Sequence, residues 1–377
     1  MANFKVKNGL QAGRYLLSNG TETAGTEGYD ISGASYDSVS FDVTQSTMTH
    51  NLTFKPDGTK MYVVERANDS VYQYSLSTAW DVGTASYDSK SFSFAAQEIE
   101  PYSIVFNSDG TSMYTVGFNS DAVFQYTLST AYDVSTASYA SKSLDVSSED
   151  AIPVNVTFNP DGTSLYINGA TNDYVFQYNL TTAFDVSTGS YTSKSLNYSS
   201  QDTNANGFAF NADGTKCFIV GNTSDSVHQY SLTTAYDIST ASYDSVSFDL
   251  SSQDTNPWGL AFKGDGTKMY VLGSDDFVYQ YSTASYTQTL DLSTGTTFSF
   301  TPSGATTVSF TNPPASGNAI GFSVEVVGDG SAITWPDSVK WHEATAPTAT
   351  ASKELYTFVT TDGGTTYYGR KAAEELA

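Results

Sequence analysis

Short runs in which apolar and polar residues alternate fill most of the chain. Within each unit, one run ends in Phe three residues before an Asp-Gly-Thr turn, and an alternating run such as 60–64 follows it. A third run ends in Gln-Tyr, and a Ser-Tyr-x-Ser-x-Ser segment completes the unit. Four short strands rich in Tyr, Phe, Val and Thr, separated by turn residues, predict one blade of a β-propeller.

The unit recurs with a constant period. A period held over several copies indicates one supersecondary unit repeated in space. A β-helix coil would be about half as long, and a helical repeat would show 3.6-residue periodicity. The sequence therefore predicts an all-β chain with a five-bladed propeller of four strands per blade. The Asp-Gly-Thr aspartates lie 52 residues apart: Asp57, Asp109, Asp161, Asp213 and Asp265.

One extra copy of the outer-strand segment, at Tyr36, precedes the first Asp-Gly-Thr turn. It has no inner three strands of its own. We therefore expect the N-terminal part of the chain to supply the outer strand of the last blade and so close the ring. A similar segment at 285–290 leaves an open or differently closed ring as an alternative.

The 52-residue frame ends near residue 284, and short alternating strands separated by Pro and Gly turns follow. They predict a small antiparallel β-sandwich or jelly-roll domain, with Trp335 and Trp341 in its core. Only the last residues, from Lys371, favour a helix. The predicted division is an N-terminal attachment segment over 1–34, the propeller over 35–284 and the C-terminal domain over 285–377.

Composition narrows the classes of partner. The net charge is −24, and the 16 Lys and Arg residues are scattered, so we expect no nucleic-acid partner. The N-terminus lacks the apolar core of a signal peptide, and no apolar run approaches the ~20 residues of a membrane helix, so we expect no membrane insertion. The single cysteine, Cys217, stands where another repeat has Met61 and is expected to fill space in the core.

Sequence patterns of known catalytic sites are missing. There is no Gly-x-Ser-x-Gly elbow, no His-Glu-x-x-His and no phosphate-binding loop. His228 replaces the Tyr72 of the first repeat, which favours a packed strand residue. The Asp-rich loops offer too few carboxylates at regular spacing for Ca²⁺. We therefore expect no catalytic residue, no metal site and no cofactor.

Several short stretches of the sequence resemble a known class of proteins. Ile-Thr-Trp-Pro from Ile333, Thr-Ala-Pro-Thr from Thr345 and the stretch 361–369 resemble a small C-terminal β domain of structural and fibre-like proteins of tailed bacteriophages. The opening 4–10 is similar to the start of marine phage virion proteins, and 72–79 is similar to repeats of such phages and of some bacterial surface proteins. The resemblance implies a virion component on the surface of the extracellular particle.

Comparing the five copies with each other locates a candidate binding surface. The segments seven to nine residues before each repeat Asp are the least alike. In a propeller these loops lie on one face around the central opening, where residues free of packing demands can be shaped for a partner. Drift in solvent is the alternative, although aromatic residues there suit sugar stacking or a protein hot spot. The candidate binding residues are His50, Glu100, Tyr102, Asn204, Asn206, Asn256 and Trp258.

These observations predict a structural protein of a tailed phage virion, fibre-, knob- or decoration-like, and not an enzyme. Its expected partners are other virion proteins, further copies of itself, and a host surface glycan or protein held by the propeller face. The first alternative is a carbohydrate-binding, lectin-like propeller of a bacterial surface protein. The second is a glycan-degrading enzyme. It is disfavoured because a catalytic site needs a cluster of acidic or His residues that is unique in the chain, and the sequence shows none.

Overall fold

The computed structural model describes residues 21–24, 28–45, 47–283, 286–302, 306–328, 333–342, 345–350 and 352–373. The chain forms two compact units, one of Glu27–Ala284 and one of Met1–Thr26 with Ser285–Ala377. Strands are numbered in chain order. β1 (Thr21–Ala24) belongs to the second unit, and β2 (Ser35–Asp42) belongs to the first.

The first unit is a propeller of five four-stranded antiparallel blades, as predicted. In every blade the strand nearest the central opening comes first in sequence. The first three blades consist of β3 (Thr49–Phe54), β4 (Lys60–Glu65), β5 (Ser70–Leu76) and β6 (Ala85–Ser93); β7 (Pro101–Phe106), β8 (Ser112–Gly117), β9 (Ala122–Leu128) and β10 (Ala137–Asp145); and β11 (Pro153–Phe158), β12 (Ser164–Gly169), β13 (Tyr174–Leu180) and β14 (Gly189–Asn197). The last two consist of β15 (Ala205–Phe210), β16 (Lys216–Gly221), β17 (Ser226–Leu232) and β18 (Ala241–Asp249); and β19 (Pro257–Phe262), β20 (Lys268–Gly273), β21 (Phe277–Ser282) and β2.

A short 3₁₀ turn precedes the outer strand of every blade. Each turn begins after an Asp whose side chain accepts a hydrogen bond from the backbone N–H two residues later, which satisfies a donor at the start of the turn. The turns are Ile31–Gly33, Val82–Thr84, Val134–Thr136, Val186–Thr188 and Ile238–Thr240.

The Asp-Gly-Thr turns have a packing role as well as a hairpin role. Asp57 accepts hydrogen bonds from the backbone N–H of Thr59 at 3.0 Å and from its hydroxyl at 2.6 Å. Gly58 has φ of +72°, and a Cβ atom there would lie 2.3 Å from the ring of Trp80. Glycine is therefore required both for the backbone conformation and for the close approach of an aromatic ring. In the last blade that ring belongs to Tyr29, which lies over Gly266.

The N-terminal part of the chain closes the ring, as the segment at Tyr36 predicts. β2 pairs antiparallel with β21 of the last blade. The carboxylate of Asp37 accepts hydrogen bonds from Lys268 Nζ at 2.6 Å and from Gln280 Nε2 at 2.9 Å. The alternative outer strand near residue 285 lies in the second unit, so the ring closes with five blades.

Buried tyrosines join neighbouring blades. At four blade interfaces, a tyrosine of the second strand donates its hydroxyl hydrogen to a backbone carbonyl of the adjacent blade, and its side chain is fully buried. Each bond satisfies a polar group that would otherwise be desolvated without a partner. The bonds run from Tyr62 to Tyr132 (2.6 Å), Tyr114 to Phe184 (2.6 Å), Tyr166 to Tyr236 (2.5 Å) and Tyr270 to Trp80 (2.6 Å).

The remaining interface, between the fourth blade and the N-terminal turn, lacks the tyrosine bond and also a second bond that the other four interfaces have. Phe218 takes the tyrosine's place, with its ring centroid 6.1 Å from that of Tyr29. Elsewhere a glutamine of the third strand accepts a hydrogen bond from the neighbouring turn, as Gln177 does from Ile238 N at 3.1 Å. The equivalent oxygen of Gln229 is buried and has no hydrogen-bond partner within the described residues. The closing interface is therefore the least hydrogen-bonded of the five.

We expect Phe218→Tyr to stabilise the propeller by about 1 kcal/mol, because the new hydroxyl can donate to the Tyr29 carbonyl. Urea denaturation of the full-length chain measures the change. Phe176→Tyr is the matched control, since Tyr72 occupies the same repeat position in the first blade without this bond. An unchanged or lowered stability in Phe218→Tyr would show that the interface cannot accommodate the hydroxyl.

The second unit contains two sheets. One has the order β1, β22 (Tyr286–Asp291), β24 (Thr306–Thr311) and β26 (Ile333–Thr334). The other has the order β23 (Thr297–Phe300), β25 (Ile320–Val327), β28 (Lys353–Thr360), β29 (Tyr367–Ala373) and β27 (Val339–Trp341). Side chains of both sheets share one core around Trp335, which is buried, and Trp341 packs against it.

Three expectations for the regions outside the ring need correction. Four strand pairs in the second unit are parallel, not antiparallel. In three of them the strand between the two partners in sequence lies in the other sheet, whereas β27 and β29 are separated by β28 of their own sheet. The helix expected from Lys371 is absent as far as Ala373, where β29 ends. The predicted segment 1–34 is divided, since β1 pairs with β22 while Tyr29 and Ile31 lie in the propeller core. The phrase 4–10 lies outside the described residues.

No helix in the described part of the chain has the length and apolar character needed to cross a bilayer.

Candidate functional site

A cavity of about 300 Å³ lies at the end of the propeller where the innermost strands begin; we name it the rim pocket. Three positions of the repeat line it: the second residue of the innermost strand, the residue two before it, and the residue that follows the second strand. The first position supplies His50, Tyr102, Val154, Asn206 and Trp258, the second supplies Ile152 and Asn204, and the third supplies Phe118, Ala170 and Asn222.

The structure brings five of the seven sequence-predicted residues together in this pocket: His50, Tyr102, Asn204, Asn206 and Trp258. Glu100 lies at the same repeat position as Asn204, but its carboxylate forms an ion pair with Arg66 at 3.0 Å. Asn256 is exposed and does not line the pocket.

Sequence reasoning missed the position that follows the second strand. Its members are as unlike each other as those of the chosen segments, and this variation at 52-residue spacing was the available signal. The position lies about sixteen residues after the second residue of the innermost strand in sequence. Only the folded blade brings the two positions together, so sequence spacing alone does not group them. The members are Arg66, Phe118, Ala170, Asn222 and Ser274.

His50 lies in an aromatic cluster. Its ring is parallel to that of Trp258, with centroids 4.0 Å apart and an interplanar angle of 9°, and edge-on to that of Tyr102 at 4.2 Å. Its Nε2 atom is buried and has no hydrogen-bond partner among the described residues. Burial, with a smaller contribution from the nearby charge of Arg66, lowers the pKa of His50 to about 3. The imidazole is therefore neutral at physiological pH. Because buried polar atoms are nearly always hydrogen-bonded, the unpartnered Nε2 indicates a functional role for His50.

The charged side chains near His50 are paired with each other. Arg66 lies 5.5 Å from the centre of the Tyr102 ring, within the range of a cation–π contact, and forms the ion pair with Glu100. Neither charge hydrogen-bonds to the imidazole.

The fourth blade supplies an amide group at every one of the three lining positions: Asn204, Asn206 and Asn222. The side chains of Asn204 and Asn222 form no hydrogen bond within the described part of the chain, and the backbone N–H of Asn222 donates to the Asn204 carbonyl at 3.1 Å. In a five-bladed ring the fourth blade lies across the opening from the first. The three asparagines therefore form one side of the pocket, which we name the amide wall, and a blade that does not neighbour that of His50 carries it.

Five buried carboxylates support the rim loops. Asp150, for example, accepts hydrogen bonds from the backbone N–H groups of Ile152 at 2.8 Å and Asn172 at 3.0 Å. In four blades the carboxylate precedes the innermost strand, and a glycine ends the second strand; a Cβ at Gly169 would lie 2.3 Å from the Asp150 carboxyl carbon. In the first blade the carboxylate is Glu65, at the glycine position itself. These residues hold the lining positions in place: Glu65, Glu98, Asp150, Asp202 and Asp254.

His228 is a second buried imidazole, but its geometry does not suit base catalysis. Its Nε2 lies 2.9 Å from Ser224 Oγ, and that hydroxyl donates to Asp202 at 2.7 Å. Because the hydroxyl hydrogen is directed at the carboxylate, Nε2 must donate to Ser224 and cannot accept its proton. His228 is buried in its strand, as expected from the repeat.

Other groups with potential chemistry lie elsewhere. Cys217 is fully buried, and burial raises the pKa of its thiol, so it is not a nucleophile. Within the described residues no cluster of three or more His, Cys, Asp or Glu side chains could hold a metal ion. Larger cavities, of about 500 and 650 Å³, occur on the second unit around Trp341, His342 and Arg370.

Comparisons with known proteins bear on the propeller. A family model described as "Lactonase, 7-bladed beta-propeller" matches residues 33–245, which run from the closing strand to the outer strand of the fourth blade. Five blades are present here, so this chain has a smaller ring than the family description states. No curated protein matches the sequence.

Among solved structures, similar chains include a "putative 6-phosphogluconolactonase" from Bacteroides uniformis, at 12% identity and a TM-score of 0.40, with 58% of this chain and 62% of that chain covered. A second, from Bacteroides fragilis, has 13% identity, a TM-score of 0.39 and coverage of 54% and 55%. A functionally unknown protein from Desulfotomaculum acetoxidans has 14% identity, a TM-score of 0.39 and coverage of 60% and 62%. The chain thus covers less than two thirds of each of these structures.

The family match corrects the functional expectations drawn from the sequence. A lactonase family overturns the predicted virion role, its lectin-like alternative and the prediction that the chain is not an enzyme. The virion role gave weight to phrases in the terminal segments, which lie outside the matched residues. The non-enzyme prediction depended on the lack of known catalytic motifs in the sequence. The predicted partners, self-association and extracellular location stay predictions. Since the match spans more than half of the 377 residues, the chain belongs to the lactonase family of β-propellers.

Proposed function

We propose that this chain is a hydrolase of lactones and that the rim pocket is its active site. The observation that carries the proposal is the buried, unpartnered Nε2 of His50, a residue that lines a cavity of about 300 Å³. That volume is at the lower end for ligand pockets and suits a small ring. Membership of a lactonase family supports the reaction class.

In this proposal His50 is the general base. A water molecule adds through its oxygen to the lactone carbonyl carbon and gives a proton to Nε2. The ring C–O bond then breaks, its electron pair stays on the ring oxygen, and that oxygen takes the proton back from His50. The product is the open hydroxy acid, and the imidazole returns to its neutral form.

The low pKa of His50 favours proton transfer from water in one respect and opposes it in another. It keeps the imidazole neutral and able to accept a proton, but it also makes a weak base. A negative charge developing on the carbonyl oxygen within the pocket would raise the pKa of His50, because an opposite charge favours the charged form of the imidazole. Base strength would thus increase when the oxyanion forms.

In this proposal the amide wall of the fourth blade stabilises the oxyanion. Side-chain N–H groups that stabilise a developing oxyanion are among the largest contributions to acyl-transfer catalysis. Asn204 and Asn222 have free amide hydrogens within the described residues, and Asn206 Nδ2 makes only a long contact of 3.4 Å with the Asn204 carbonyl. We assign these amides to the carbonyl oxygen of the substrate.

Trp258 controls access in this proposal. Its ring covers the imidazole face at 4.0 Å and is itself only half-buried. Rotation of this side chain would widen the pocket beside His50, and the substrate ring could then pack against the imidazole.

For the second unit we propose a β-sandwich. Its two sheets and the core that they share around Trp335 support this architecture.

The test is acid release by the purified full-length protein from unsubstituted and alkyl-substituted γ- and δ-lactones, followed by titration at constant pH. We expect rates clearly above spontaneous hydrolysis in the same buffer for at least one ring size. Rates equal to the spontaneous rate for every lactone would overturn the proposed activity.

A further inference from the structure

The lining of the rim pocket is polar on one side and apolar on the other. All three positions of the fourth blade are asparagine, whereas the third blade supplies Ile152, Val154 and Ala170. The second blade adds Tyr102 and Phe118, whose rings meet edge-on at 6.3 Å. A ligand that fills this pocket therefore meets hydrogen-bonding groups at one edge and apolar surface at the other.

The apolar side continues onto the open surface. Phe118 is 41% exposed and Ile99, two residues before its blade's innermost strand, is 54% exposed. Large hydrophobic side chains with this exposure are few within the described residues, and these two belong to the same blade. Because Phe118 also lines the pocket, its exposed ring can contact an apolar part of a ligand.

The pocket also disfavours an anionic ligand. All fifteen residues at the three lining positions are described, and Arg66 is the one cation among them. Its charge is already paired with Glu100. Five buried carboxylates lie beneath the surrounding loops. A phosphate group would meet net negative charge with no free cation to bind it.

From these three observations we infer that the substrate is an uncharged lactone with an alkyl substituent. The carbonyl edge of the ring faces the asparagines of the fourth blade, and the substituent lies along Tyr102 and Phe118. This inference rests on the proposed hydrolase function and adds the substrate class to it.

The experiment measures kcat/KM for δ-valerolactone and for δ-lactones with alkyl chains of increasing length, and for 6-phosphogluconolactone, with the full-length protein. Burying one methylene increases affinity about fourfold, so we expect a two- to fourfold gain per methylene until the patch is covered. Activity on the phosphorylated lactone should be at least tenfold lower than on the best alkyl lactone.

Phe118→Ser should remove most of the chain-length dependence, because it deletes the apolar surface of a side chain that is itself exposed. Tyr368→Ser is the matched control, since Tyr368 is an exposed aromatic residue of the second unit and should change nothing. Rates independent of chain length, or a preference for the phosphorylated substrate, would overturn the inference and leave the hydrolase function standing.

Calorimetric binding of the corresponding alkyl δ-lactams separates the two proposals. Affinity that rises with chain length in the wild type but not in Phe118→Ser, together with no hydrolysis of any lactone, would support the binding inference and overturn the catalytic proposal. Neither binding nor hydrolysis would overturn both.

Discussion

His50→Gln should lower kcat/KM for the best lactone substrate by a factor of 100 or more, because general-base catalysis contributes about 10²- to 10⁴-fold. Glutamine keeps a polar group of similar length but cannot take up a proton at neutral pH. Acid release by the purified variant measures the effect, and a thermal melt checks that it is folded.

The matched control is His228→Phe, which installs the residue that Phe124 and Phe176 provide at the same repeat position. Because Nε2 of His228 is a donor to Ser224, its loss should leave the rate within about twofold of the wild type. Equal rate losses in the two variants would show that neither imidazole is the base.

The same assignment predicts the pH dependence of the reaction. Since burial lowers the pKa of His50 to about 3, the neutral form predominates throughout the range above about pH 4. The rate should therefore stay nearly constant between about pH 5 and 8, whereas a histidine with its ordinary pKa near 6.5 would give a rising limb there. A rising limb centred near pH 6.5 would contradict the low pKa.

Tyr166→Ala should destabilise the propeller by about 3–5 kcal/mol, the cost of removing a large aromatic side chain from a packed core. The ring of Tyr166 is fully buried and lies 4.7 Å from that of Phe210, and its hydroxyl donates to the carbonyl of Tyr236 at 2.5 Å. Removing the side chain therefore leaves a cavity and an unsatisfied carbonyl between the third and fourth blades. Urea denaturation of the full-length protein measures the loss.

Tyr166→Phe separates the two contributions. It keeps the ring and removes only the hydrogen bond, so the expected loss is about 1–2 kcal/mol. Phe218 shows that a phenylalanine packs at this repeat position. If Tyr166→Phe were as destabilising as Tyr166→Ala, the hydrogen bond and not the packing would hold the interface.

Five blades instead of the seven in the family description affect the pocket directly. Every blade contributes the same three positions to the rim, so a smaller ring brings fewer residues around a narrower opening. The ring of His50 thereby lies 4.2 Å from that of Tyr102 on one neighbouring blade and 4.0 Å from that of Trp258 on the other. The aromatic cluster is thus a consequence of ring size as well as of sequence.

Much of the propeller was determined by the sequence alone. The 52-residue period specifies the blade, because every copy must satisfy the same packing at the same positions. The orphan segment at Tyr36 identifies the closing strand, since a strand without a blade of its own must pair with an exposed edge. The repeat also places His50, Tyr102 and Trp258 at one position, and hence on one face of the ring.

Only the tertiary structure determined which residues line the rim pocket together and how the strands of the second unit pair. Phe118 and Asn222 join the rim pocket because the second strand returns beside the innermost one, a proximity that linear distance conceals. Glu65 and Asp150 perform the same role from different repeat positions, which their sequence context does not reveal. Three of the parallel pairs of the second unit arise because successive strands from β22 to β26 enter different sheets. Local alternation specifies that a segment is a strand, whereas its partner and its neighbours depend on contacts between residues far apart in the chain.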